Sequence, residues 1–130
     1  MTEKRNAKKT SREKLSTITF TVAECGEFHD FGEYYEGITS VEDAIAIFNR
    51  IPPERMNGIP SIGIRIHTEG TEYYEDTQKD IVSGGIADLE FLTYMPDITG
   101  NPRAMEMIAA LMDRMDDIEV IGSLEKWQID

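Results

Sequence analysis

Two stretches of the chain alternate apolar and polar residues, and this period of two predicts strands with one buried face. The apolar positions of the first stretch are Ile18, Phe20 and Val22. Those of the second are Ile62, Ile64 and Ile66. Both stretches are therefore interpreted as strands of one small sheet.

Three further strand segments have weaker patterns. A short strand is predicted around Tyr34, and a closing strand is predicted over residues 118–121. After the turn at Gly70, Tyr73 and Tyr74 are interpreted as the hairpin partner of the second strand. These assignments make the predicted sheet mainly antiparallel.

Helical spacing of apolar residues follows a capping residue at two places. Ser40, with Asp43 at the third position after it, predicts a helix that ends before Pro52. Asn101 followed by Pro102 predicts the start of a second helix of about four turns. Both helices carry an apolar face that can cover a sheet.

A third helix is predicted from the apolar residues between 86 and 92, closed by Pro96. The predicted fold class is therefore α+β, with a small, mainly antiparallel sheet packed with two or three helices. Trp127 is expected to pack the C-terminal end against this body.

The first 14 residues differ in composition from the rest of the chain. They hold six Lys and Arg residues against Glu3 and Glu13, and almost no apolar side chains. Such a segment cannot offset the entropy of ordering, so residues 1–14 are predicted to be a disordered basic tail. Residues 15–130 are predicted to form a single acidic α+β domain, because 40% apolar residues suffice for one core.

The expected location is the cytoplasm. No apolar run approaches the roughly 20 residues that cross a bilayer, and the charged start lacks the features of a signal peptide. Cys25 is the single cysteine of the chain, which fits a reducing compartment.

The net charge of the chain is −12. The basic tail has a charge of +4, so residues 15–130 together have a charge of −16. A body of that charge is repelled by nucleic-acid backbones and attracted to basic surfaces, including grooves that hold DNA or RNA. Direct nucleic-acid binding is expected only weakly, through the tail. The alternative is that the acidity only keeps the protein in solution.

Residues 24–36 repeat an acidic side chain every third position among aromatic residues, and more carboxylates follow near the end of the last predicted helix. Carboxylates pair with Arg and Lys of a partner, while aromatic anchors dominate interface energy. The alternative is that these aromatic residues fill the core of the domain. The candidate partner-binding residues are Glu24, Glu27, Phe28, Asp30, Glu33, Tyr34, Tyr35, Glu36, Asp113, Asp116 and Asp117.

Catalytic and metal-binding patterns are incomplete. Cys25 and His29 could form a nucleophile and base, but no third orienting group is evident from the spacing. A zinc site would require Cys25, His29 and His67 to converge with a carboxylate. No Gly-rich phosphate loop occurs. The chain is therefore expected to use no cofactor or metal and to catalyse no reaction.

Two segments resemble a known family. Residues 20–28 read FTVAECGEF, followed by Gly32-Glu33-Tyr34, and residues 51–60 read IPPERMNGIP, followed by Gly63. Over residues 18–123 the chain resembles the large polyvalent protein associated domains of mobile elements in Gram-positive bacteria. The resemblance implies an origin in conjugative elements or phages, where such domains occur beside antirestriction modules. It supplies no catalytic residue.

Charge and resemblance together lead to the expected function. A small acidic protein of such an element resembles anti-defence proteins, so the first hypothesis is inhibition of a type II RNA-guided CRISPR nuclease. Inhibition would use an acidic, DNA-mimicking surface against a basic nucleic-acid channel or the protospacer-recognition surface of the enzyme. The second hypothesis is an accessory or scaffold module of the conjugation machinery without inhibitory activity. A third, an enzyme that modifies guide RNA or defence proteins, would depend on Cys25, His29 or the aspartates.

Overall fold

The computed structural model describes residues 15–24, 33–51 and 59–118. These residues form one antiparallel sheet of five strands packed with three helices, which confirms the predicted α+β class. The sheet order is β2-β1-β3-β4-β5. The strands are β1 (Ser16–Ala23), β2 (Tyr34–Ile38), β3 (Ser61–Thr68), β4 (Thr77–Ser83) and β5 (Ile86–Ala87).

Strands β1 and β3 are the two central strands, and both were predicted from their alternating residues. Phe20 of β1 lies opposite Ile64 of β3, and Val22 lies opposite Ile62, so the apolar residues of both strands share one face. Thr19 lies opposite Arg65 on the other face. Each strand therefore has one apolar face and one polar face.

The described residues also form three α-helices, and the two longer ones have the caps predicted from the sequence. Helix α1 is Val41–Asn49, α2 is Pro96–Thr99 and α3 is Pro102–Asp113. The hydroxyl of Ser40 accepts a hydrogen bond from the backbone N–H of Asp43 at 3.1 Å. The side chain of Asn101 accepts one from the N–H of Ala104 at 3.0 Å, and a proline occupies the first turn.

The core lies between the apolar face of the sheet and the helices α1 and α3. The phenylalanines of the described residues that are fully buried in it are Phe20, Phe48 and Phe91. They belong to one cluster with the isoleucines of β3 and with Ile108 and Leu111 of α3. The helices thus cover one face of the sheet, and the opposite face is free to carry polar side chains.

The prediction of a hairpin partner at Tyr73 and Tyr74 was wrong. These residues form a 3₁₀ turn, Tyr73–Glu75, and the strand that pairs with β3 is β4, which starts at Thr77. The reason is that only Ile81 and Val82 of β4 are buried, so the first residues of this strand carry no apolar alternation. The polar residues at the start of β4 therefore have the sequence pattern of a loop.

The prediction of a helix over residues 86–92 was also wrong. Gly84 and Gly85 both have positive φ, at 62° and 88°, and form a two-residue turn that returns the chain as β5. A 3₁₀ helix, Glu90–Thr93, follows, and Pro96 begins α2 instead of closing a helix. The predicted basic tail, Trp127 and all but the first residue of the predicted strand 118–121 lie outside the described residues; that first residue, Ile118, is buried.

Replacement of Ile64 by alanine tests the position of the core. Ile64 is fully buried between the sheet and the helices, so the Ile64→Ala variant is expected to lose about 2–5 kcal/mol of unfolding free energy. Ile86→Ala is the matched control: its side chain is 60% exposed, and the loss should stay within about 0.5 kcal/mol. Urea denaturation measures both, and equal losses would contradict this position of the core.

Candidate functional site

Arg65 occupies the centre of the polar face of the sheet. It follows Ile64 on β3 and therefore points away from the helices. Its side chain is only 9% exposed. A buried guanidinium needs partners for its five N–H donors, so the residues around it are fixed by this requirement.

Side chains from β2 and β4 supply these partners. Nη1 of Arg65 lies 2.6 Å from Oε1 of Glu36 on β2. Nε and Nη2 donate to Oε1 of Gln78 on β4, at 3.2 Å and 2.9 Å. Because β1 lies between β2 and β3, the pair of Arg65 and Glu36 spans β1. This crossing accounts for the burial of Thr19 and Thr21 on a face that no described helix covers.

Tyr73 covers the guanidinium from outside the sheet. The ring centroid lies 4.0 Å from Cζ of Arg65, a cation–π contact, and the hydroxyl donates a hydrogen bond to Glu36. Tyr73 belongs to the connection between β3 and β4, which we call the acid–tyrosine loop, residues 69–76. Arg65 thus joins this loop to β2.

The buried carboxylate of Asp76 anchors the end of the acid–tyrosine loop. Its side chain is 2% exposed; Oδ1 shares a hydrogen bond with Nδ1 of His67 at 2.6 Å. Its Oδ2 lies 3.6 Å from Nε of Arg65 and has no hydrogen-bond partner. The negative charge of Asp76 is therefore balanced inside the protein by Arg65 at ion-pair distance.

A repeated tetrapeptide contributes to this arrangement. Residues 33–36 and residues 72–75 both read EYYE. Glu36 of the first copy and Tyr73 of the second meet at Arg65, and the hydroxyl of Tyr34 donates to Gln78 at 3.4 Å. Arg65, Tyr73 and Tyr74 were missing from the residues predicted to bind a partner. The repeat, together with an arginine in the middle of a central strand, is the sequence signal that identifies them.

The acid–tyrosine loop presents both tyrosines of the second copy to solvent. Tyr73 is 54% exposed and Tyr74 is 83% exposed, and all three glutamates of the loop are exposed. Backbone hydrogen bonds hold the loop in turns: the N–H of Thr71 donates to Thr68, and the N–H of Glu75 donates to Glu72 at 2.9 Å. The loop is therefore a defined surface of carboxylates and aromatic rings.

Glu24 does not belong to an exposed contact surface, which corrects the expectation for this residue. It is 1% exposed and accepts hydrogen bonds from the N–H of Glu33 at 3.1 Å and from the hydroxyl of Tyr35 at 3.4 Å. Tyr35 itself is partly buried against the core. Both residues hold the start of β2 to the end of β1.

The remaining predicted residues divide between two sides of the molecule. Glu33 and Glu36 are exposed on the β2 side, whereas Asp113, Asp116 and Asp117 are exposed at the end of α3, in the helical layer. They therefore do not form one continuous acidic face. Glu27, Phe28 and Asp30, as well as Cys25 and His29, lie outside the described residues.

The end of α3 has its own ion pairs. Arg114 lies 2.5 Å from Asp117 and 3.6 Å from Glu42 of α1. The Asp117 carboxylate raises the pKa of the Arg114 guanidinium above its ordinary value. Asp117 is thus partly neutralised by a neighbouring cation.

Exposed charges on the described part of the chain are mostly negative. It holds seventeen Asp and Glu residues, of which fourteen are exposed. Of its five Lys and Arg residues, only Arg50, Lys79 and Arg103 are exposed. Its formal charge is −12, which equals the net charge of the whole chain.

Residues 15–24, 33–51 and 59–118 contain no group of three or more His, Cys, Asp or Glu residues arranged to hold a metal ion. None of the helices formed by these residues has the length and apolar character needed to span a bilayer.

Comparison with known proteins gave no relative: no family model matches the chain, and no match was found among curated proteins or solved structures.

Replacement of Arg65 tests its role in the polar face. Arg65→Met removes the arginine cation that faces the buried Asp76 carboxylate, so a loss of about 3–5 kcal/mol of unfolding free energy is expected. Arg103→Met is the control, because its pair with Glu106 is exposed and worth about 1 kcal/mol or less. Urea denaturation measures both; an Arg65→Met variant as stable as the control would contradict the assignment.

Proposed function

We propose that this protein is an anti-defence inhibitor that binds a basic nucleic-acid-binding surface of a host nuclease. The proposed target is a type II RNA-guided CRISPR nuclease in the cytoplasm. The observation that carries the proposal is the excess of exposed carboxylates over exposed cations, combined with two exposed tyrosines on the acid–tyrosine loop. This surface has the charge sign of a nucleic-acid backbone.

The electrostatic step of the proposed mechanism is attraction to a basic channel. An excess of negative charge over the surface raises the association rate with a positively charged groove, and salt weakens this attraction. Nucleic acid and the inhibitor then compete for the same Arg and Lys side chains of the nuclease. Inhibition by this route requires no catalytic group on the inhibitor.

The second step of the proposed mechanism is the burial of tyrosine rings against the partner, which excludes water from the contact. Tyrosine is enriched among residues that dominate interface energy, because its ring buries a large area at a low entropic cost. Tyr73 is held over Arg65 before any partner binds, so little side-chain freedom remains to be lost at this position. Tyr74 is the more exposed ring and is the proposed anchor.

The proposal of a CRISPR nuclease in particular is based on the resemblance to domains of mobile elements. The acidic surface by itself supports only the more general proposal that the partner has a basic surface. The second candidate function is an accessory module of the conjugation machinery. The exposed rings of Tyr73 and Tyr74 favour this second function, because aromatic rings can bind a partner through apolar contacts that do not depend on charge.

Charge reversal on the acid–tyrosine loop tests the proposed surface. The double variant Glu72→Lys with Glu75→Lys is expected to bind the nuclease–guide complex at least about tenfold more weakly and to restore DNA cleavage. The matched control is Glu90→Lys with Glu106→Lys, which changes the net charge by the same amount at exposed positions of the 3₁₀ helix Glu90–Thr93 and of helix α3. Co-elution and a DNA cleavage assay measure both pairs at low and high salt.

Three results separate the alternatives. Salt-sensitive binding that the loop variant loses and the control retains supports the proposal. Equal loss in both variants would mean that net charge alone acts, without a defined contact surface. Absence of binding by the wild-type chain would reject this nuclease as the target, and salt-tolerant binding to an element-encoded protein would favour the accessory module.

A further inference from the structure

A groove runs between the edge strand β2 and helix α1. Its volume is about 390 Å³. On the strand side it is lined by Gly37, Ile38 and Thr39. On the helix side it is lined by Asp43, Ala46, Ile47 and Arg50. These residues follow the spacing i, i+3, i+4, i+7, so three residues of α1 and its C-cap residue Arg50 form one continuous stripe that faces the strand.

The strand side of the groove is an open sheet edge in the described part of the chain. Strand β2 is the first in the sheet order and pairs there with β1 alone. An edge strand presents backbone N–H and C=O groups that another extended segment can pair with. At Gly37 the backbone has φ +76° and the register of β2 with β1 shifts, so a segment that pairs with this edge has to accommodate a bulge there. A side chain at Gly37 would meet no atom within 4 Å of its Cβ, so no described residue fills the space beside this bulge.

The helix side of the groove has opposite charges at its two ends. Asp43 and Arg50 are both exposed, and neither forms an ion pair with another described residue. Seven residues of α-helix separate them by about 10 Å along the axis. The half-buried side chains of Ala46 and Ile47 lie between them. The stripe is therefore negative, then apolar, then positive.

We propose that this groove binds an extended segment of a partner protein by strand addition to β2. Alternate side chains of a strand point to the same face, and positions i to i+4 span about 13 Å. This length exceeds the separation of Asp43 and Arg50 by about 3 Å, a difference that the flexible side chains of Lys, Arg and Glu can bridge. Helix α1 starts three residues after β2 ends and runs back along it, so a segment antiparallel to β2 runs in the direction of α1, from Asp43 towards Arg50. In this orientation the matching segment carries a basic residue, an apolar residue and an acidic residue at positions i, i+2 and i+4. This site is separate from the acidic surface and does not depend on the function proposed for it.

A pair of peptides with reversed charges tests the groove. The first has Lys, Val and Glu at alternate positions and Thr between them; the second exchanges Lys and Glu. NMR titration of the full chain is expected to show shifts at Gly37, Thr39 and the α1 stripe with the first peptide, and about tenfold weaker binding of the second. The double variant Asp43→Lys with Arg50→Glu should reverse this preference, whereas Arg103→Glu should leave it unchanged.

Three outcomes would overturn the proposal. The first is binding of neither peptide, and the second is a preference that the double variant leaves unchanged. The third is strong protection of the Gly37 and Thr39 amides from hydrogen exchange in the free chain, because another part of the chain would then already cover this edge. A second copy of the chain as the occupant would appear as concentration-dependent shifts at the same amides without any peptide.

Discussion

The ion pair between Arg65 and Glu36 is the constraint on which the polar side of this protein depends. It joins two strands that are not neighbours, because β1 lies between them. A guanidinium that is 9% exposed must satisfy its donors within the protein, and it recruits Gln78 of β4 and the ring of Tyr73 for this purpose. A second carboxylate, that of Asp76, lies at ion-pair distance from the same guanidinium. Asp76 is the last residue of the acid–tyrosine loop, so this contact anchors the end of the loop.

This constraint connects the fold to the proposed binding surface. The helices cover one face of the sheet and form the core there, whereas on the other face the described residues around Arg65 are long polar side chains. The same side chains position the acid–tyrosine loop at the edge of this face. A loop held in this way can present carboxylates and aromatic rings in a fixed arrangement, which lowers the entropic cost of binding a partner.

Local sequence signals predicted the elements that local physics determines. The alternation around Phe20 and Ile64 and the caps at Ser40 and Asn101 each depend on a few neighbouring residues, and all of them were confirmed. Strand β4 was missed because its first residues are polar, and its pairing depends on β3 rather than on its own pattern. The site was predicted only in part, since the meeting of Glu36 with Tyr73 depends on the sheet order, which a period of two does not reveal.

Native-state hydrogen exchange in wild type and Arg65→Lys tests most directly whether Arg65 positions the acid–tyrosine loop. A lysine ammonium cannot reproduce the planar contacts to Glu36, Gln78 and the ring of Tyr73. The account predicts faster exchange at the amides of Thr71, Glu75 and Asp76, whose hydrogen bonds hold the loop, with unchanged protection in the centre of β3. Unchanged exchange in the loop, or equal acceleration throughout the sheet, would contradict it.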